Sequence, residues 1–336
     1  MIYNRLEVMA LSSKTIFLNK ERNVTLTPYI VSKKTTPAVL ILPGGAYNNC
    51  TESEGKPVAK TLNKLGFNCF ILCYSVGEHY KWPRPLEDYE QAMEYICANA
   101  EKYSVDKEHI VVMGFSAGGH LASAAASLAV HKPFAAVLCY APTTAATLAH
   151  CAPDAPDTCE AVNHNTCPCF IASSRNDWIV PSFNTTKFVD ALQKNYVDYE
   201  AHIYGYSMHG FSVGEPANAV GPMFCSRVGD WVNEFVSWID DLISGRYVSI
   251  RECCEYNDQH SDTLTTANSC PVVFADSEVE KQIRKKFPVQ YLLYAATKKK
   301  LPDFIKTISP RNIFQLMHVK SETIAKMDDL LKQYKR

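Results

Sequence analysis

The segment Gly114-Phe115-Ser116-Ala117-Gly118-Gly119-His120 holds a serine at G-x-S-x-G spacing. It follows the apolar run 110–113 and precedes the small-residue run 117–130. On a turn this tight between strand and helix, the serine takes a strained backbone, and glycine at 114 and 118 leaves room for the chain to pass itself. Its hydroxyl then stands at a helix N-terminus, where developing negative charge is favoured. A serine hydroxyl is a poor nucleophile unless a base takes its proton, and the base needs a carboxylate to orient it. With an elbow of this kind the chain order is Ser, then Asp or Glu, then His. Asp177, in Arg175-Asn176-Asp177-Trp178-Ile179-Val180-Pro181, follows the apolar run 170–173. His209, in Gly205-Tyr206-Ser207-Met208-His209-Gly210-Phe211, follows the run 199–204. The chemistry expected of Ser116, Asp177 and His209 is acyl transfer through a covalent intermediate.

An oxyanion needs backbone N–H donors. Pro43-Gly44-Gly45-Ala46-Tyr47 follows the apolar run 38–42, where the glycine loop that accompanies such a nucleophile elbow belongs. The expected donors are Ala117 N–H together with that of Gly45 or Ala46. Tyr47 and Phe115 flank these positions and are candidate pocket walls, with core packing the equal alternative. His120, just inside the elbow helix, reads as packed rather than catalytic, and His164 as a loop residue. Asp154 and Asp157 replace Asp177 only if the loops are rearranged.

The elements that position these residues follow from periodicity. Strands are expected at 24–31, 38–42, 67–74, 110–113, 135–140, 170–173 and 199–204. Helices are expected at 57–65, closed by Gly66, and along the stripe Leu86, Tyr89, Met93, Ile96. Further helices are expected at 117–130, 183–193 and along Val228, Trp231, Val232, Phe235, Trp238, Ile239 and Leu242. Strands apolar on both faces, alternating with amphipathic helices, imply an α/β fold with a mostly parallel sheet and helices on both faces. Active sites of such sheets lie at the carboxyl ends of the strands. The four loops above all follow strands.

The 336 residues contain 34 Lys+Arg, 35 Asp+Glu and 13 Cys, with an apolar fraction of 47%. This composition excludes collagen, coiled coil and general disorder, and no run approaches the ~18 apolar residues of a membrane span. Arg5 and Glu7 interrupt the apolar stretch a signal peptide needs. Many cysteines lie inside apolar runs, as reduced thiols do. A cytoplasmic location is therefore expected. His150, Cys151, Cys159, His164, Cys167 and Cys169 cluster in sequence, but Cys167-Pro168-Cys169 has one intervening residue where a zinc site prefers two to four. No metal is expected. The absence of a P-loop, a dinucleotide fingerprint and H-E-x-x-H implies no cofactor.

Charge divides the chain. Residues 1–275 carry 20 basic and 28 acidic side chains, residues 276–336 carry 14 and 7. The expected organisation is a catalytic domain over 1–245, a linker over 246–275 and a small basic helical region over 276–336. In the last, Ser277–Glu280 fits a capping box and Ser309-Pro310 an N-cap followed by Pro at N1. These short helices look too small for a core of their own, so their stripes are expected to need the catalytic domain or a second copy as partner. Without a recognition motif the positive charge points to no nucleic acid.

The combination of PGGAY, GFSAGGH, RNDWIVP and MHGF resembles the alpha/beta-hydrolase superfamily. Within it the chain is similar to bacterial acetyl-esterase and acetyl-xylan- or feruloyl-esterase-like carboxylesterases. The likeness extends to ESEG-x-PVA near Glu54, to Tyr74–Val76 and to PLEDYEQAM at 85–93, and covers roughly residues 20–245. It implies an alpha/beta-hydrolase fold with a small helical C-terminal appendage, and hydrolysis of short acyl esters, often acetyl groups on sugars. Ser116 then matches the nucleophile, Asp177 the acid and His209 the base. Many relatives carry His before the glycines where this chain has Pro43, which removes no backbone donor. Two other functions compete: a serine peptidase of the prolyl-oligopeptidase type, and a catalytically silent hydrolase fold serving as a binding module.

Overall fold

Strands that are apolar on both faces fold only where both faces can be covered, and the first 240 residues supply that cover. In the computed structural model, which describes residues 11–12, 14–214, 226–244, 254, 257–259, 261–306 and 308–335, the chain divides into two compact units, Met1–Asp240 and Asp241–Arg336.

The first unit is built on a nine-stranded sheet. Its strands are β1 (Leu11–Ser12), β2 (Ile16–Asn19), β3 (Val24–Ile30), β4 (Thr36–Leu42), β5 (Asn68–Cys73), β6 (Val105–Phe115), β7 (Ala135–Cys139), β8 (Cys169–Ser174) and β9 (Tyr199–Tyr204). The order is β1-β3-β5-β4-β6-β7-β8-β9, with β2 also paired to β3. From β5 to β9 every pairing is parallel, whereas β1, β2 and β3 form an antiparallel edge.

Helices cover both faces. Leu40, Leu42, Val112, Leu138 and Ile171 face a core shared with Tyr89 and Met93 of α2 (Arg84–Ala98), Leu121 of α3 (Ala117–Leu128) and Phe188 of the helix Phe183–Lys194. Phe170, one residue out of phase with Ile171, meets Phe235 and Trp238 of the helix Trp231–Ile243. α1 (Lys56–Lys64) ends at Gly66, whose φ of +95° is the left-handed stop glycine makes cheaply.

Chain direction across the sheet reverses at β4 and β6. From β4 the chain passes through α1 to β5 on one side, and from β6 it passes through α3 to β7 on the other. The loops leaving these neighbouring strands therefore part and open a crevice at their carboxyl ends.

The second unit is helical, with segments at Cys270–Val273, Ser277–Lys286, Pro288–Lys300, Pro302–Ile305, Pro310–Leu316 and Ser321–Leu331. Their apolar stripes pack on one another: Val279, Ile283, Tyr294, Phe314, Met327 and Leu331 form a buried cluster. This corrects the expectation that the stripes need an outside partner. Leu264, Cys270 and Val273 join the same cluster, so packed structure begins well inside the stretch 246–275 expected as linker. Residues 246–253, 255, 256 and 260 of that stretch lie outside the described residues. The expected capping box at Ser277 does not form: the N-cap is Asp276, one residue earlier, and it accepts from Glu278 N–H. Ser309 does cap its helix, with Pro310 at the first turn. Among the described residues no helix is long and apolar enough to cross a membrane.

Candidate active site

At Ser116 the chain turns from β6 into α3 with φ +50° and ψ −120°, a region that costs a non-glycine residue of order 1–3 kcal/mol. Its neighbours make the turn possible. A Cβ on Gly114 would stand 2.0 Å from Gly118 O, and one on Gly118 would stand 2.0 Å from Leu42 O. No side chain fits at either position. Ser116 N–H donates to Cys139 O at 3.0 Å, and His120 N–H returns to Ser116 O at 3.0 Å.

Asp177 and His209, expected from loop order alone, converge on this serine. His209 Nε2 lies 2.9 Å from Ser116 Oγ, and His209 Nδ1 lies 2.7 Å from Asp177 Oδ2. A carboxylate can only accept, so Nδ1 carries the proton and Nε2 is left to accept from the serine hydroxyl. Asp177 is 4% exposed, and its other oxygen accepts the N–H groups of Ile179 and Val180, both at 2.9 Å. The loop after β8 thus fixes the carboxylate before the imidazole reaches it.

The glycine loop after β4 closes the opposite side. Gly44 is wedged against the serine: a Cβ there would meet Ser116 Cβ at 2.8 Å. Gly45, Ala46 and Tyr47 all take positive φ, +126°, +52° and +59°. The loop is pinned by Asn48 N–H on Gly45 O at 2.9 Å, Thr51 N–H on Gly44 O at 2.9 Å and the Tyr74 hydroxyl on Pro43 O at 2.6 Å. Among the described residues the N–H groups of Gly45 and Ala46 meet no acceptor. Ala117 is the first residue of α3, so its N–H lacks an intrahelical partner.

The remaining candidates have other contacts. Phe115 is fully buried, its ring against Tyr140 and Trp231. Tyr47 is 1% exposed, and its hydroxyl is turned to His120 Nδ1 at 2.6 Å. Neither ring is presented to solvent. His120 is buried, with Nε2 on Pro156 O at 3.0 Å. Because that carbonyl only accepts, Nε2 bears the proton and Nδ1 accepts from Tyr47. Burial pushes the His120 imidazole down to about 4. Asp154 accepts from the Tyr80 hydroxyl and Trp82 N–H, and Asp157 caps the helix Thr158–Ala161; both carboxylates are committed away from His209. His164 is exposed in its loop. Cys159 and Cys169 donate their thiols to Thr143 O and Cys167 O, and among the described residues no three His, Cys, Asp or Glu side chains converge as a metal site would.

Two residues that the sequence reading gave no part in the site lie against it. Glu54, 4% exposed, accepts Gly44 N–H at 2.8 Å and the Tyr140 hydroxyl at 2.7 Å. Burial pushes its carboxyl up from the ordinary value, opposed by the bonds from Tyr140 and Gly44 and by the nearby His209. The Tyr140 ring meets His209 edge to face with centroids 4.9 Å apart.

A serine on a strand-to-helix elbow, at the crevice of a largely parallel sheet, defines a class, and the comparisons agree. The BD-FAE family matches residues 27–141, and the chain belongs to the alpha/beta-hydrolase superfamily. An alpha/beta hydrolase enzyme from a Medee basin deep-sea metagenome library is 32% identical over 70% of this chain and 98% of that one, with a TM-score of 0.65. The acetyl ester-xyloside bifunctional hydrolase of Caldicellulosiruptor lactoaceticus is 28% identical over 68% of this chain and 96% of its own, with a TM-score of 0.61. Endo-1,4-beta-xylanase B of Butyrivibrio fibrisolvens is 30% identical over 52% of this chain and 32% of its own length. The chain spans about a third or less of the curated relatives it matches.

Proposed function

We propose that the chain is a serine carboxylesterase acting on short acyl esters, with acetyl groups on sugars as the favoured substrate class. The observation that carries this reading is the hydrogen-bonded series Ser116 Oγ, His209, Asp177 at 2.9 and 2.7 Å, set beside the Gly45 and Ala46 N–H groups, which have no acceptor among the described residues. His209 Nε2 removes the hydroxyl proton as Ser116 Oγ attacks the ester carbonyl. Asp177 holds the ring and favours the imidazolium. The N–H of Ala117, with that of Gly45 or Ala46, meets the oxyanion; one such donor is worth about 10²–10³ in kcat. The imidazolium then protonates the departing alcohol. Water, deprotonated by the same nitrogen, releases the acid from the acyl-enzyme.

The sugar-acetate preference is supported by the name of the Caldicellulosiruptor neighbour, which is an acetyl ester-xyloside hydrolase. Cys69, Cys139, Cys167 and Cys169 are buried free thiols, which suits a reducing, cytoplasmic compartment. The test is a panel of p-nitrophenyl esters from acetate to octanoate, run beside acetylated xylo-oligosaccharides and a prolyl amide. The expected result is highest kcat/KM on acetate esters and release of acetate from the oligosaccharide. Turnover of the amide without the esters would replace the esterase reading with a peptidase.

A further inference from the structure

Glu54 is a buried carboxylate that the proposed chemistry does not use. Burying a carboxylate is costly, and a well-packed apolar residue would often serve stability as well. Among the described residues none of its hydrogen-bond partners is a cation: they are the Gly44 amide and the Tyr140 hydroxyl. What these partners share is their position on the two halves of the site.

Gly44 leads into the loop whose next two amides face no acceptor among the described residues. A Cβ on Gly44 would lie 2.7 Å from Glu54 Oε2 and 2.8 Å from Ser116 Cβ, so carboxylate, glycine and serine are stacked in direct succession. By taking the Gly44 N–H, Glu54 fixes the first peptide plane of the loop and leaves those of Gly45 and Ala46 for substrate. Tyr140 serves the other half. It stands at the end of β7 with φ +40°, its ring edge-on to His209. Its hydroxyl donates to Glu54 and accepts from Ser212 N–H at 3.2 Å. Ser212 in turn donates its hydroxyl to Ser53 O, beside Glu54, and accepts from Trp231 Nε1, both at 2.9 Å. The His209 loop is thus tied back to the segment that carries Glu54.

We propose that Glu54 is a positioning residue: through Gly44 and Tyr140, its single carboxylate aligns the oxyanion loop and the His209 loop on Ser116 together. The proposal rests on the serine-hydrolase reading. Its charge adds a second effect. His209 is faced by Asp177, Ser116 and the Tyr140 ring, with Glu54 behind that ring; Glu54 is faced by Gly44 and Tyr140, with Tyr74 and Cys139 close enough to feel its charge. An ionised Glu54 favours the imidazolium formed when His209 takes the serine proton.

The experiment compares Glu54→Gln, Tyr140→Phe, the double variant and Ser116→Ala, all in the full chain with p-nitrophenyl acetate. Gln keeps an oxygen for Gly44 but turns an NH2 toward Tyr140 and removes the charge. The expected loss is about 10–100-fold in kcat for each single variant, the scale of a small misplacement of reacting groups, with KM within about threefold. The double variant should be no worse than the poorer single one, because the two residues act as a unit. In Glu54→Gln the acid limb of the kcat/KM profile should also move to lower pH, which a purely structural role would leave in place. Should Glu54→Gln fail to fold, Tyr140→Phe carries the kcat–KM test alone. Single variants with near-normal kcat, or losses that multiply, would overturn the proposal while Ser116→Ala remains inactive. Turnover by Ser116→Ala would instead remove the reading it rests on.

Discussion

Protonation of His120 should destabilise the first unit, and its contacts allow the size to be worked out. The imidazole is fully buried, donates from Nε2 to Pro156 O and accepts at Nδ1 from Tyr47. Protonation would point an N–H at a hydroxyl that now donates, in a site with no compensating charge at hydrogen-bonding distance among the described residues. The ordinary value of 6.5 falls to about 4 in the folded protein. At about 1.36 kcal/mol per pH unit, this separation amounts to about 3 kcal/mol in all. The folded state holds the proton less tightly than the unfolded chain does. The stabilisation is therefore complete above the unfolded value and is lost as pH falls from 6.5 toward 4. Between pH 7 and pH 5 about 2 kcal/mol should go. His120→Gln cannot titrate, so comparing it with the native chain cancels every other ionising group. The variant should be less stable at pH 7, and the gap should shrink by about 2 kcal/mol at pH 5. For a unit of this size that is a convergence of roughly 4–8 °C in Tm, readable by scanning calorimetry at both pH values. A gap that stays constant would refute a neutral, buried His120.

Asp177→Asn should lower kcat by about 10⁴-fold through the wrong imidazole tautomer, and combining it with Ser116→Ala should cost nothing further; retention of most of the activity would exclude Asp177 as the orienting acid. Gly118→Ala should lose at least the 1–3 kcal/mol of a typical overpacking change, because the new Cβ would stand 2.0 Å from a carbonyl oxygen. Gly205→Ala, with nothing within 4 Å, should stay within about 0.5 kcal/mol. Urea midpoints for the two variants test this contrast, and equal costs would contradict the packing described at the elbow.

Much of this site was legible because its parts are local. Gly114, Ser116 and Gly118 sit in one short segment between a strand and a helix, and Asp177 and His209 each follow a buried strand. Strand-end loops of a parallel sheet converge on one edge, so order along the chain already implied proximity. Glu54 and Tyr140 carry no such signal: they are 86 residues apart, on a short turn and a strand end, and only the sheet order unites them. The edge strand Ile16–Asn19 was missed because four residues without alternation give no period. In the second unit the segment Cys270–Val273 is too short for helical periodicity to reveal, so its place in a separate core was invisible. Glu280 favoured Ser277 through the capping-box pattern, but Asp276 is an equally good N-cap one residue earlier and takes the position.

The central claim is that Ser116 is the nucleophile, and covalent labelling tests it most directly. The full chain is incubated with a fluorophosphonate, ester turnover is followed in parallel, and the protein is then digested and sequenced by mass spectrometry. The account predicts one adduct per chain, on Ser116, accumulating in step with the loss of acetate-ester hydrolysis and absent from Ser116→Ala. Turnover that persists in a fully labelled chain, or an inactivating adduct on any other residue, would contradict it.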